Sequence, residues 1–193
     1  MKKFIIIAVT AVIVIISMIG LSVAGTYNTL VSLQTTVEQR NATVDATLQR
    51  RYDLIPNVVN SVRGYMEHES EIFTAIADAR SRIGSAKTAD EKQQANSELE
   101  SAVSRLLVLT ENYPALKADA QVSELINQLE GTENRIFVAR NDYNEAVTRY
   151  NNSLRRFPTN IVAGMFNFQE AKMIEATHEA KTEVPKVDLK SKQ

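Results

Sequence analysis

Residues 119–155 read DAQVSELINQLEGTENRIFVARNDYNEAVTRYNNSLR, a long stretch with a clear helical repeat. Apolar side chains recur along it every seven residues, which is typical of a helix that packs on other helices. The main row consists of Val122, Leu129, Ile136, Tyr143 and Tyr150. Proline disfavours the continuation of a helix because it lacks a backbone donor and clashes with the preceding turn, so Phe157-Pro158 predicts that this helix ends near Arg155.

A second helix is predicted just before this stretch. It carries an apolar face, begins after the turn GSAKTA at 84–89 and ends before Tyr113-Pro114. Thr88 and Glu91 have the spacing of a capping box, in which each side chain binds a backbone amide of the first turn. The apolar face consists of Leu99, Val103, Leu106 and Leu107.

The region before that turn is predicted to form one helix over 48–83. Its apolar positions lie seven residues apart, and Glu69 alone breaks the series, whose members are Leu48, Ile55, Val62, Ile76 and Ile83. Pro56 removes a backbone donor and predicts a kink or a fresh start at 53–56. The repeat keeps its phase across Pro56, which favours the kink.

Together these patterns predict an all-α protein, because no alternating run bounded by turn residues indicates a strand. Three long helices with short connections, plus short helical segments, make an antiparallel up-and-down bundle similar to a four-helix bundle. We divide the chain into an anchor at 1–25, a bundle at 26–168 and a charged tail at 169–193.

The anchor is the run FIIIAVTAVIVIISMIGLSVA at 4–24. Its 21 residues span roughly 30 Å as a helix, the thickness of the hydrocarbon core of a bilayer. Ser22-Val23-Ala24 also resembles a cleavage site, so a removed signal peptide is the alternative. Signal peptides have shorter apolar cores, and the length therefore favours a retained single-pass membrane anchor.

The flanking cations predict the orientation of this anchor. Lys2 and Lys3 precede it, whereas the first cation after it is Arg40. Because cations accumulate on the cytoplasmic side, this bias places the N-terminus in the cytoplasm and residues 25–193 outside it.

Composition excludes several classes of function. The chain has 193 residues, a net charge of −1, no cysteine and two histidines. A cysteine nucleophile, a thiolate zinc site and an iron–sulfur cluster are excluded, and there is no basic footprint for nucleic acid. Glu175 and His178 have the spacing of a di-iron ligand pair, but that chemistry needs a second such pair. We therefore expect no enzyme, no cofactor, no metal and no small-molecule substrate.

Four charged residues fall on or beside the apolar stripes. They are Glu69, Arg80, Glu133 and Arg140. We expect a buried polar network in which Arg140 pairs with Glu133, Glu69 or both, because arginine forks and carboxylates form bidentate pairs that set register. Exposure at a loose edge of the bundle and a ligand or proton site are the alternatives.

A small basic cluster lies near the end of the third helix. Its members are Arg149, Arg155 and Arg156. Cations are favourable at a helix C-terminus, so a solvated face explains the cluster. Contact with anionic lipid or with a partner is the alternative.

Several segments resemble the LemA family, whose members carry R-x-D-L-I-P-N-L-V after an N-terminal membrane helix. Here 49–59 reads QRRYDLIPNVV, 111–117 reads ENYPALK, 133–144 reads ENRIFVARNDYN, and 157–164 reads FPTNIVAG. The resemblance covers residues 1 to about 168. The signature positions are Arg51, Asp53, Leu54, Ile55, Pro56, Asn57, Tyr143, Asn144, Phe157 and Pro158.

The resemblance implies a helical bundle tethered to a bacterial membrane and implies no particular reaction. It also implies a short N-terminus outside and a bundle in the cytoplasm, the reverse of what the lysines predict. We therefore expect a non-catalytic scaffold at the cell envelope that associates with other envelope proteins or with itself. The alternative is a receptor-like module that holds a small ligand or a partner helix within the bundle.

Overall fold

A computed structural model describes residues 2–174, apart from the side chains of residues 2, 4–6 and 8. Within that range every regular element is a helix, so the predicted all-α class is confirmed. Glu175, His178 and the rest of the tail lie outside the described residues. The helices are α1 Lys2–Val62, α2 Ser70–Ser85, α3 Ala89–Thr110, α4 Pro114–Ala118, α5 Ala120–Arg155 and α6 Thr159–Met165.

Helix α1 is a single helix of 61 residues that contains Pro56. It does not start afresh at 53–56, which was the less favoured of the two outcomes predicted for that proline. A helix of this length carries both the apolar anchor and the first part of the bundle.

The prediction of one helix over 48–83 is wrong. Helix α1 ends at Val62 and α2 begins at Ser70, with a turn between them whose Met66 is fully buried. The connection at 63–69 has seven residues, so the apolar positions keep their seven-residue phase across a reversal of the chain. Glu69, predicted on a helical stripe, is the N-cap residue of α2.

The starts of α3 and α5 are set by side-chain caps. The capping box of Thr88 and Glu91 is confirmed: the Glu91 amide donates to Thr88 Oγ1 at 3.1 Å, and the Thr88 amide donates to the Glu91 carboxylate at 3.3 Å. Asp119 accepts hydrogen bonds from the amides of Gln121 and Val122, which hold the pKa of that carboxyl below its ordinary value. The predicted limits of the third helix, α5, are confirmed.

The described residues form two compact units. Unit 1 comprises residues 2–45 and 138–174, and unit 2 comprises residues 46–137. In unit 1, Arg40 of α1 pairs with Asp142 of α5 at 2.9 Å. The buried apolar core of unit 1 consists of Leu30, Val37, Ala146, Val147, Tyr150, Leu154 and Ala163.

Unit 2 has the larger core, drawn from α1 to α5. Fully burying one Leu, Ile, Val, Met or Phe side chain stabilises a fold by about 1.5–3 kcal/mol before entropy is subtracted. Helices α2 and α3 form an antiparallel hairpin across the turn at 86–88. The core residues of unit 2 are Ile55, Val58, Val62, Met66, Phe73, Ile76, Ala79, Leu99, Ala102, Val103, Leu106, Leu116, Val122, Ile126 and Leu129.

The apolar stretch at the start of α1 lies outside both cores. Among the described residues, α1 is the one helix long and apolar enough to cross a membrane, with a mean hydropathy of 2.2 in its most apolar window. Its large side chains from Val9 to Leu21 are exposed, and among the described side chains of α1 the first buried one is that of Leu30. An apolar helix with no protein partner is what a bilayer accommodates, since the helix satisfies its own backbone groups.

Candidate functional site

The most deeply buried charge in unit 2 is Arg51, whose side chain is fully buried. Its guanidinium lies between α3 and α5. Nη2 donates to Asn96 Oδ1 at 3.2 Å and to the Asn96 carbonyl at 3.4 Å, while Nη1 donates to Glu133 Oε2 at 3.4 Å. Glu100 Oε2 lies 4.0 Å from Nη1. We call these four residues the Arg51 cluster.

The position of Arg51 on α1 explains why it is buried. It belongs to a row of buried residues seven apart on that helix, all others apolar: Leu30, Val37, Val44, Arg51 and Val58. The row faces other helices, so Arg51 has to find its partners inside the protein.

Asn96 is oriented for this role by its own helix. Its Nδ2 donates to the Lys92 carbonyl one turn earlier at 2.8 Å. That bond uses the donor end of the amide, and Oδ1 is left facing Arg51. The cluster therefore binds α1, α3 and α5 together through a neutral amide and two carboxylates.

The four residues predicted as a buried network are half-buried and have diverse partners. Glu133 binds Arg51. Glu69 accepts a hydrogen bond from the Tyr113 hydroxyl at 3.1 Å, which raises the pKa of Tyr113. The predicted pairing of Arg140, which belongs to unit 1, stays a prediction.

Arg80, the remaining member of that set, stacks on an aromatic ring. Its guanidinium carbon lies 4.5 Å from the centroid of the Tyr52 ring, within the range of a cation–π contact. Sequence reasoning did not identify the aromatic partners of Glu69 and Arg80. Tyr113 lies in the connection between α3 and α4, and Tyr52 lies on α1. A seven-residue repeat does not predict which residues of separate elements come into contact.

The signature positions at 51–57 lie on α1 within unit 2. Ile55 is buried with Arg51, while Leu54 and Pro56 are half-buried. Asp53 and Asn57 are exposed, and the Asp53 carboxylate accepts a hydrogen bond from Gln49 one turn earlier. The inward-facing members of the signature therefore build the bundle.

Unit 1 contains a second polar arrangement, formed by Asn144 and Asn151 of α5. The Asn151 amide donates to the Ala171 carbonyl at 2.9 Å and accepts from the Ala171 amide at 3.0 Å. Asn144 makes the same pair of bonds with the backbone of Ile174, both at 2.9 Å. We call Asn144 and Asn151 the asparagine clamp.

The spacing of the asparagine clamp matches that of an extended chain. Seven residues of helix rise about 10.5 Å, and three residues of extended chain span about 10 Å. A side-chain amide carries the same donor and acceptor as a peptide group, so each asparagine acts as one residue of a neighbouring strand. The clamp therefore holds residues 171–174 by their backbone, antiparallel to α5.

Two further contacts hold the same segment. The Tyr143 hydroxyl donates to the Lys172 carbonyl at 2.9 Å. Arg155 binds both carboxylate oxygens of Glu170, at 2.6 and 2.8 Å, and holds the pKa of Glu170 below its ordinary value. The side chains of Lys172 and Met173 are exposed, so the contacts depend little on the sequence of the segment.

The sequence contained a signal for the clamp that was not recognised. Tyr143-Asn144 recurs seven residues later as Tyr150-Asn151, on one face of α5. Among the remaining signature positions, Phe157 and Pro158 are exposed at the start of α6.

Comparison with known proteins agrees with this architecture. The model of the LemA family matches residues 40–189. The chain belongs to the LemA family. The matched range includes the Arg51 cluster of unit 2 and the asparagine clamp of unit 1, together with the segment that the clamp holds.

Curated relatives are distant in sequence. Magnetosome protein MamQ 2 of Paramagnetospirillum magneticum is 26% identical over 171 residues, which cover 75% of this LemA-family chain and 63% of the relative. Protein LemA of Metamycoplasma hominis is 23% identical over 168 residues, covering 86% of this chain and 77% of the relative. The chain thus spans less than two thirds of the length of the MamQ relative.

Proposed function

We propose that this chain is a scaffold of the bacterial cell membrane that binds other envelope proteins or further copies of itself. It is a membrane-associated helical protein of a non-catalytic kind. One observation supports the finer role: the polar groups of both arrangements bind the chain itself. Arg51 is engaged by Asn96 and Glu133, and the asparagine clamp is engaged by residues 171–174.

The outer faces of the bundle are therefore the surfaces available for binding other proteins. In unit 2, Val108 of α3 and Phe137 of α5 are large apolar side chains more than half exposed. These two positions can therefore report whether the outer faces of α3 and α5 bind other proteins. The receptor-like alternative needs an enclosed pocket, whereas the groove between α2 and α3, about 380 Å³ in volume, is open to solvent.

Photo-crosslinking in native membranes tests the scaffold. A benzophenone amino acid at Val108 or Phe137 of the full chain should yield a discrete protein adduct, identified by mass spectrometry as one envelope protein or as a second copy. The exposed position Asp78 is the matched control and should yield none. Adducts with lipid alone, or equal adducts at Asp78, would contradict the scaffold. A small molecule that copurifies in stoichiometric amount would instead favour the receptor-like module.

The side of the membrane on which the bundle lies is tested separately. With Lys2 and Lys3 in the cytoplasm, a reporter fused after Gln193 should be active if it is a phosphatase that folds only outside the cytoplasm. A reporter that works only in the cytoplasm should be inactive at the same position. The reverse result would mean that two lysines are too weak a bias to set the orientation.

A further inference from the structure

Helix α6 carries an apolar face that no described residue covers. Phe157 lies two residues before the helix begins, and Ile161 and Met165 lie four residues apart within it and share one side. They are 80%, 54% and 67% exposed, and the adjacent Phe166 is 49% exposed. The opposite side is anchored in unit 1 through the buried residues Val162 and Ala163.

The same unit places α6 beside the end of the membrane-spanning stretch. The ring of Tyr27 lies 4.7 Å from the ring of Phe166 and 5.7 Å from that of Phe168, measured between centroids. Tyr27 follows Ala24, the last residue of the apolar run, by three residues, or about 4.5 Å along a helix. The interfacial zone of a bilayer is about 5–7 Å thick on each side, so an apolar run that ends at the hydrocarbon boundary places Tyr27 within this zone.

We propose that the exposed face of α6 inserts into the lipid interface beside the anchor, as a second membrane contact. This occupant is favoured over a protein because Phe166, at the end of α6, packs on Tyr27 of α1 close to the end of the apolar run. Tyrosine is typical of that zone, and phenylalanine is typical of the apolar face of interfacial helices. Arg156, which is exposed and directly precedes the face, can reach lipid phosphates.

The consequence is that unit 1 is held to the membrane at two points. With α1 as the only contact, the continuous helix is free to tilt in the bilayer and to rotate about its own axis. A second contact at α6 restricts this motion and presents one side of unit 1 to the bilayer surface.

Single-tryptophan reporters test this contact directly, because the chain has no tryptophan of its own. Phe157→Trp and Met165→Trp are made in the full chain, which is reconstituted in vesicles of phosphatidylcholine and phosphatidylglycerol. Val108→Trp is the matched control, since Val108 is equally exposed but belongs to unit 2. Circular dichroism checks that each variant keeps the helical content of the parent.

Lipids brominated near the headgroup end of their acyl chains should quench the reporters at positions 157 and 165 about twofold, because an interfacial helix is buried about 5–10 Å into the boundary between headgroups and chains. Emission from both reporters should shift to shorter wavelength on transfer from amphipol to vesicles. The control reporter at position 108 should show neither effect. Quenching of all three reporters to the same extent, or no quenching of the two on the α6 face, would overturn the proposal. A blue shift that grows with protein density and resists bromolipid would overturn it too, and would assign the face to a second copy.

Discussion

Replacing Arg51 with alanine is expected to lower the free energy of unfolding by about 3–5 kcal/mol, because the change removes one partner of a buried ion pair. The side chain is fully buried, whereas that of Glu133 is 20% exposed. Truncation would leave this carboxylate and the Asn96 oxygen facing a cavity. The lost contacts of the arginine stem add to the cost.

The measurement is urea unfolding of the full chain in detergent, followed by far-UV circular dichroism. Arg40→Ala is the matched control, because Arg40 pairs with Asp142 at 2.9 Å with both side chains about half exposed. A surface pair of this kind contributes about 0–1 kcal/mol. If Arg51→Ala unfolds like the parent, the Arg51 cluster is solvated and does not bind the helices together.

Two further variants separate charge from packing at the same site. Arg51→Leu combined with Glu133→Leu should recover much of the loss, since replacing a whole buried pair with apolar residues is often neutral. Arg51→Lys keeps the charge but loses the planar fork, so it cannot reach both Asn96 and Glu133 and should lie between parent and alanine. Recovery by lysine but not by the double leucine would indicate that charge alone matters.

The seven-residue repeat predicted the helical class because helix packing requires that spacing, and Pro158 predicted where α5 ends. The same repeat could not predict the reversal at 63–69. Because the connection has seven residues, the apolar positions of α2 continue the seven-residue spacing of α1. The spacing shows which positions are apolar but does not show whether the chain reverses its direction. The turn also contains the apolar and fully buried Met66, so apolar composition does not distinguish the turn from the helices beside it.

The candidate site around Arg51 was also predictable only in part. Extending the apolar row of Val58 towards the N-terminus leads to Arg51, so its burial was predictable from the sequence. Its partners were not, because Asn96 and Glu133 lie 45 and 82 residues away. Which residue of α3 or α5 meets Arg51 depends on the register of three helices, and one-residue differences in register change the partner.

Loss of the asparagine clamp is the second large expected effect, confined to the segment it holds. Each asparagine makes two hydrogen bonds with the backbone, worth about 0.5–1.5 kcal/mol each. Arg155 adds an ion pair with Glu170, and its hydrogen bonds hold the pKa of that carboxyl below its ordinary value. A carboxyl with a lowered pKa stabilises the docked segment fully above its ordinary pKa. That contribution is lost as the pH falls through the lowered value.

Asn151→Ala should therefore raise the opening equilibrium of the segment by about 5- to 150-fold, the effect of losing about 1–3 kcal/mol, and Asn144→Ala should add to it. Hydrogen exchange at the amides of Ala171 and Ile174 measures this opening, and tryptic cleavage after Lys172 should accelerate in parallel. Asn152→Ala is the matched control, because Asn152 is exposed on the same helix. Asn151→Asp keeps the acceptor for the Ala171 amide but loses the donor, so it should open the segment at neutral pH. Unchanged exchange in the double alanine variant would show that the segment docks through Phe168 and Glu170. The hydrogen bonds of Asn144 and Asn151 would then contribute nothing to docking.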